Sequence, residues 1–204
     1  MKRLFDMDNP FWRALSVASD LLILNLLTLL CSLPIVTAGA AFTAMFSVVV
    51  RSVRGEEDYI VKPFFRAFKS NWKKGTLLWL LLLLAAGFLY FDYLAASAYL
   101  PAMRLPIAAL AVMALAFAHY AFALLSRYEN TLSGTVKNAA TLAVGYFPRT
   151  LGIVVFTIAF WLASIHFYQI GAPLLLLFGF SLPCYVSILL MNSIFTKLEN
   201  DEAS

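Results

Sequence analysis

The chain has 204 residues and a net charge of +4, with 62% hydrophobic, 15% aromatic and only 13% charged residues. A soluble domain carries about 45–50% apolar and about 25% charged residues, and the mean hydropathy of +0.84 departs in the same direction. These values exclude a water-soluble globule, a disordered tail and a disulfide scaffold. The two cysteines, Cys31 and Cys184, both lie in apolar runs, where a thiol behaves as a small hydrophobe. The expectation is an all-α polytopic transmembrane helical bundle, a single membrane domain over residues 1–204.

A crossing takes about 20 mainly apolar residues. In chain order, spans are expected over residues 14–36, 37–53, 76–100, 105–125, 150–169 and 172–195. The first holds Asp20 and Asn25. The second sits at the lower length limit of about 17 residues; read as a re-entrant segment, it would leave five crossings. Charge placement favours six. With the N-terminus inside, every Lys and Arg except Arg104 falls on the cytoplasmic side, as the positive-inside rule requires. The five-crossing alternative costs only Lys2, Arg3 and Arg13. Six crossings make three hairpins with short outer connections near residues 33–39, 100–104 and 169–173, and both termini in the cytoplasm. The early positive charge and Ala38-Gly39-Ala40 superficially match a secretory leader. The intervening apolar stretch exceeds the usual 7–15 residues and contains Asp20 and Asn25, so it is read as a retained span.

Two cytoplasmic segments read as amphipathic interfacial helices, over residues 60–74 and 133–147. In the first, Ile60, Val61, Phe64, Phe65, Phe68 and Trp72 fall within an arc of about 140°, with Lys62, Arg66, Lys69 and Lys73 opposite. Aromatics on one side and cations on the other suit a helix lying in the headgroup plane. The sharper alternative is a docking surface for a cytoplasmic partner, made by Phe64, Phe65, Arg66, Phe68, Lys69, Trp72 and Lys73. In the second, Val136, Ala140, Ala143 and Phe147 are expected to share a face opposite Lys137, Asn138 and Thr141, with Thr131 or Ser133 as cap. Each segment precedes a hairpin, and a shift of 75 residues brings Trp72 onto Phe147 and Lys74 onto Arg149. This suggests a weakly repeated unit of surface helix plus hairpin after an opening hairpin.

Four Asp or His residues lie within the spans, where ionisable groups are functional candidates by default. Helical rise places Asp20 and His119 about 9–10 Å from the inner surface, and Asp92 and His166 near the outer boundary. Depth matching suggests two pairs, Asp20 with His119 and Asp92 with His166. The competing reading has each group reaching water or headgroups, or bonding to backbone or to Tyr90, Tyr93, Tyr120 or Tyr168. Asn25 and Asn192 suit interhelical hydrogen bonds, Pro34, Pro106 and Pro183 suit helix ends or kinks, and Ala38-Gly39-Ala40-Ala41 suits close backbone approach.

No phosphate loop, zinc-ligand spacing or nucleophile motif occurs, and the aromatics of the basic segment are on the wrong face to interleave with bases. The reading is therefore of a non-enzyme with no cofactor, no metal and no nucleic-acid partner, whose first partner is the lipid bilayer.

Residues 32–81 carry Leu33-Pro34-Ile35-Val36-Thr37-Ala38-Gly39, the Arg54-Gly55-Glu56-Glu57 turn and Phe64-Phe65-Arg66-Ala67-Phe68-Lys69-Ser70-Asn71, and residues 146–151 carry Tyr146-Phe147-Pro148-Arg149-Thr150-Leu151. On these the chain resembles the YesL-type family of small bacterial integral membrane proteins, a domain of unknown function. The resemblance implies a multi-span helical protein of the cell membrane, often encoded beside carbohydrate ABC importers and two-component regulators, and it supplies no catalytic residues. The expected function is that of an accessory or scaffold component for ABC-type carbohydrate uptake, partnered by importer permease subunits. The coupling-loop signature of such permeases is absent from this chain. The alternatives are an autonomous small-solute transporter or channel lined by Asp20, His119, Asp92 and His166, and a signalling partner of a membrane sensor kinase.

Overall fold

A computed structural model describes residues 10–56, 59–128 and 131–203. Among these, nine α-helices account for nearly the whole fold: α1 (Pro10–Cys31), α2 (Ala38–Val53), α3 (Val61–Ser70), α4 (Trp72–Tyr99), α5 (Arg104–Arg127), α6 (Leu132–Gly145), α7 (Phe147–His166), α8 (Tyr168–Phe178) and α9 (Ser181–Ala203). Five stretches are long and apolar enough to cross a membrane: Ala14–Cys31, Ile35–Val53, Trp72–Tyr99, Pro101–Arg127 and Phe147–His166. The pair Gly171–Phe178 and Ser181–Thr196 makes a sixth if the two halves, bent by 60°, are counted as one. The protein is an all-α polytopic helical protein.

The shortest expected span is the centre of the bundle. Helix α2 packs against α1, α3, α4, α5 and α9, and it is one unbroken helix preceded by a turn of 3-10 helix at Ile35–Thr37. Small residues make this crowding possible. A Cβ on Gly39 would collide with the carbonyl oxygen of Gly75 in α4, and one on Gly75 would lie 2.9 Å from the Gly39 oxygen. The run Ala38-Gly39-Ala40-Ala41 thus does allow close backbone approach. Pro34 stands just before that 3-10 turn, and Pro106 and Pro183 fall in the first turns of α5 and α9, where a missing N–H costs nothing. The Thr37 hydroxyl lies 2.6 Å from the Cys31 carbonyl and 2.8 Å from that of Pro34, closing the α1–α2 turn.

Helix α3 differs from the expected interfacial helix over 60–74. It ends at Ser70; Asn71 leaves helical geometry, and Trp72 and Lys73 open α4. Ile60 and Pro63 sit beside Val48, Val49 and Ser52 of α2, whereas Gly75, just beyond α3, meets Ala40 and Thr43. The segment therefore runs back along α2, so Lys73, Lys74 and Gly75 lie beside the start of α2, at the end opposite Arg51 and Arg54, and not on the side where the six-crossing expectation places them. Its apolar arc is divided: Phe64 and Ala67 are buried and Phe68 half-buried, while Val61, Phe65 and Trp72 are exposed. Helix α6 also presents a different face from the expected one. Thr135, Ala139, Leu142 and Ala143 are buried, while Ala140 and Phe147 are exposed. Small Ala139 lets α6 lie close on α5, and Phe147 belongs to α7 because the helix breaks at Tyr146. The Thr131 cap is present, its Oγ1 accepting from the Gly134 N–H at 3.2 Å.

Burial is unevenly distributed. The buried residues of α5 lie between Ala116 and Leu125, and those of α4 are Gly75, Leu78 and Ala96. The Trp79 indole N–H reaches the Ile35 carbonyl at 2.9 Å, at the start of α2. From there α4 continues to Tyr99, about 30 Å of helix at 1.5 Å per residue. Along this length it has α5 as its neighbour and exposes Leu84, Phe88, Tyr90, Phe91 and Leu94. The α4–α5 hairpin is thus a two-helix arm extending from the packed bundle.

Candidate functional site

The continuous apolar run expected as one span over 172–195 is broken in two, and Asn25 explains how the break is tolerated. Where α8 ends and α9 begins, backbone groups lose their helical partners, a costly loss away from water. The fully buried Asn25 of α1 supplies substitutes. Its Oδ1 accepts from the N–H groups of Phe180 (2.9 Å) and Ser181 (3.1 Å), and its Nδ2 donates to the Leu176 carbonyl at 2.8 Å. Three hydrogen bonds from one carboxamide span the bend. Gly171 helps set the path of α8, since a Cβ there would collide with the Ser164 carbonyl of α7.

Beside this bend lies a cavity of about 450 Å³. Its wall is apolar and carries six aromatic residues: Phe42 and Phe46 from α2, Trp79 from α4, Phe122 from α5, Trp161 from α7 and Phe180 at the bend. Phe42 contacts Trp79, Phe122 and Phe180 at centroid separations of 5.4, 5.8 and 5.2 Å, and Trp161 contacts Phe180 at 5.5 Å. His119 also lines it. Its Nδ1 is 3.0 Å from the Leu115 carbonyl, and because a carbonyl can only accept, Nδ1 carries the proton. Nε2 is then a lone-pair acceptor, without a hydrogen-bond partner among the described residues. Thr157 lines the cavity too, but its hydroxyl proton goes to the Ile153 carbonyl at 2.8 Å. Sequence reasoning missed this aromatic set because its members come from five separate segments; only Phe42 and Phe46, one turn apart, carry a local signal.

Asp20 lies elsewhere. It lines a smaller cleft of about 230 Å³ with Ser16, Arg51, Glu56 and Tyr185, in which Arg51 Nε and Glu56 Oε2 form an ion pair at 3.0 Å. Phe46 faces the cavity that holds His119, while Val48, Val49 and Arg51 face the cleft that holds Asp20. Asp20 and His119 therefore line separate cavities, and among the described residues no hydrogen bond or ion pair joins them, so the expected inner pair does not form. The outer pair is absent as well. Asp92 is exposed on the α4–α5 arm, and His166 is exposed at the end of α7 with its ring 4.9 Å from that of Phe167. The four residues therefore share no path.

The docking candidates form a basic, aromatic elbow where α3 meets α4. Phe64 is the anchor, stacking on Phe68 at 6.3 Å, and Phe68 meets Trp72 edge-on at 5.7 Å. Phe65, Lys69, Trp72 and Lys73 line a shallow groove there, and Arg66 is exposed. A second groove, of about 650 Å³, runs along the arm between α4 and α5 over Ala85, Ala86, Ala108, Ala111, Ala114 and Ala118. Among the described residues no three His, Cys, Asp or Glu side chains converge as metal ligands.

Residues 21–93, from α1 through most of α4, match the family described as "Protein of unknown function, DUF624". No curated protein and no solved structure matches the chain at a significant level.

Proposed function

We propose that the protein is a non-enzymatic accessory subunit of the bacterial plasma membrane that packs against the permease of an ABC-type carbohydrate importer. The observation that carries the accessory role is the α4–α5 arm. Two apolar helices leave the bundle, and six alanines are among the residues that line the groove between them. Small residues let a further transmembrane helix approach closely, which is how helices associate where there is no water to expel. The exposed cations of the α3–α4 elbow give the same partner a second, polar contact. The carbohydrate importer as partner rests on the YesL-type resemblance of residues 32–81. The N- and C-termini are assigned to the cytoplasm from the one-sided placement of Lys and Arg.

Two features favour this over an autonomous transporter. A sugar presents many hydroxyls that need hydrogen-bonding partners, and the apolar cavity beside the bend offers few. Asp20, His119, Asp92 and His166 also line no common route.

The test is affinity capture of the tagged full-length chain from native membranes in mild detergent, with mass spectrometry of the bound proteins. Importer permease subunits are expected with the wild type and are lost on Ala111→Trp, which fills the arm groove. A sensor kinase in their place would reassign the partner. Solute uptake by the purified protein alone in vesicles, abolished by Asp20→Asn, would overturn the accessory role.

A further inference from the structure

We infer that the cavity between α2, α5, α7 and the α8–α9 bend is a binding site for a membrane-soluble aromatic alcohol, a molecule of the phenol or naphthol class, held by a hydrogen bond to His119 Nε2. The volume of about 450 Å³ falls in the range of small-molecule sites, about 300–1,000 Å³. Six aromatic rings from five segments surround it, and such rings favour another ring in edge-to-face or offset contact. This lining excludes ions and polyhydroxylated molecules, which would give up their hydration without replacement.

The specificity comes from one atom. The Leu115 carbonyl fixes the proton of His119 on Nδ1, which leaves Nε2 of this cavity-lining residue as the acceptor that selects a molecule with one hydroxyl to donate. Edge-on contact with Phe46, at 6.2 Å between centroids, holds the imidazole ring in place. The ligand is expected to arrive from the bilayer. Leu162, which lines the cavity, is 61% exposed on the surface of α7. The site does not depend on the accessory role, and its test reads no partner protein.

The probes are 1-naphthol and naphthalene, matched in ring size and differing by the hydroxyl. The full-length protein is placed in phosphatidylcholine nanodiscs, and binding is measured by equilibrium dialysis against protein-free discs. Wild type is expected to take up one equivalent of 1-naphthol saturably, about tenfold tighter than naphthalene, the scale of one hydrogen bond in a dry site. His119→Phe keeps the apolar shape and should erase that preference while retaining naphthalene binding. Ala118→Trp should remove both by filling the cavity. Equal affinity of wild type for the two probes would overturn the proposal even if neither variant folds. So would the absence of saturable uptake above protein-free discs, or a preference for naphthol that survives in His119→Phe.

Discussion

The side chain of Asn25 reaches the backbone of Ser181 across the α1–α9 interface, its Oδ1 accepting that N–H at 3.1 Å. The same oxygen takes the Phe180 N–H, and the amide nitrogen of Asn25 holds the Leu176 carbonyl. A helix broken in an apolar setting is stable only if the freed backbone groups find partners. Asn25→Leu removes all three at once and leaves buried donors and an acceptor unmatched. A loss of roughly 2–3 kcal/mol is expected, read as a lower midpoint of thermal unfolding in detergent. An unchanged midpoint would mean that the bend satisfies itself by other means.

Gly39→Ala should destabilise by about 1–3 kcal/mol, the usual cost of overpacking, because the new methyl meets backbone of α4 that cannot rotate away. Gly87→Ala, on the arm where an added methyl would meet nothing within 4 Å, provides the contrast. It should be neutral or stabilising by up to about 1 kcal/mol through helix propensity. Denaturation of the two variants side by side separates close packing from propensity.

Adjacent aromatics on α3 should behave differently. Phe64 is fully buried and Phe65 is 48% exposed. Phe64→Ala is expected to cost about 3–5 kcal/mol as a buried aromatic truncation, and Phe65→Ala less than about 1 kcal/mol. Similar losses for both would return α3 to the headgroup plane, the position its sequence suggests.

Tyr120, fully buried, ties α5 to α7. Its hydroxyl lies 3.2 Å from Thr150 Oγ1, and that oxygen lies 2.9 Å from the Ala143 carbonyl in α6. Thr150 has one proton, which goes to the carbonyl, so Tyr120 donates to Thr150. Tyr120→Phe should cost about 1 kcal/mol. A double-mutant cycle with Thr150→Val should recover a coupling of about 0.5–1 kcal/mol; zero coupling would break the relay.

The orientation assigned from the basic residues is checked by cysteine labelling in a Cys31→Ala, Cys184→Ala background. Arg54→Cys, at the C-terminal end of α2, should resist a membrane-impermeant maleimide in intact cells and react after permeabilisation. Met103→Cys, between α4 and α5, should react in intact cells. The reverse pattern would place the C-terminal end of α2 outside.

Helix positions are legible in the sequence because each long apolar run must form its own backbone hydrogen bonds, whatever its neighbours. Residues 37–53 read as barely long enough to cross because the apolar run is short, yet its small side chains are what admit five neighbours around α2. The α8–α9 bend is half legible: Pro183 suits a helix end or kink, but residues 172–195 otherwise read as one apolar run. The group that satisfies the break lies 155 residues away in Asn25, a residue whose interhelical role is readable but whose target is not. The pairing of Asp20 with His119 fails for a related reason: helical rise gives depth, and two groups at equal depth can still line separate cavities. The faces of α3 and α6 shift because helix breaks at Asn71 and Tyr146 truncate the periodic pattern that the sequence continues through.

The 28 residues of α4 measure about 42 Å, against a hydrocarbon core of about 30 Å. A rod that overshoots its solvent must lean, or draw the surrounding lipid up with it. With its first turns pinned to α2 and the remainder flanked by α5 alone, the hairpin is the part of the molecule free to change its tilt. Its angle, and with it the spacing presented to any neighbour, will follow the thickness of the membrane in which the protein resides.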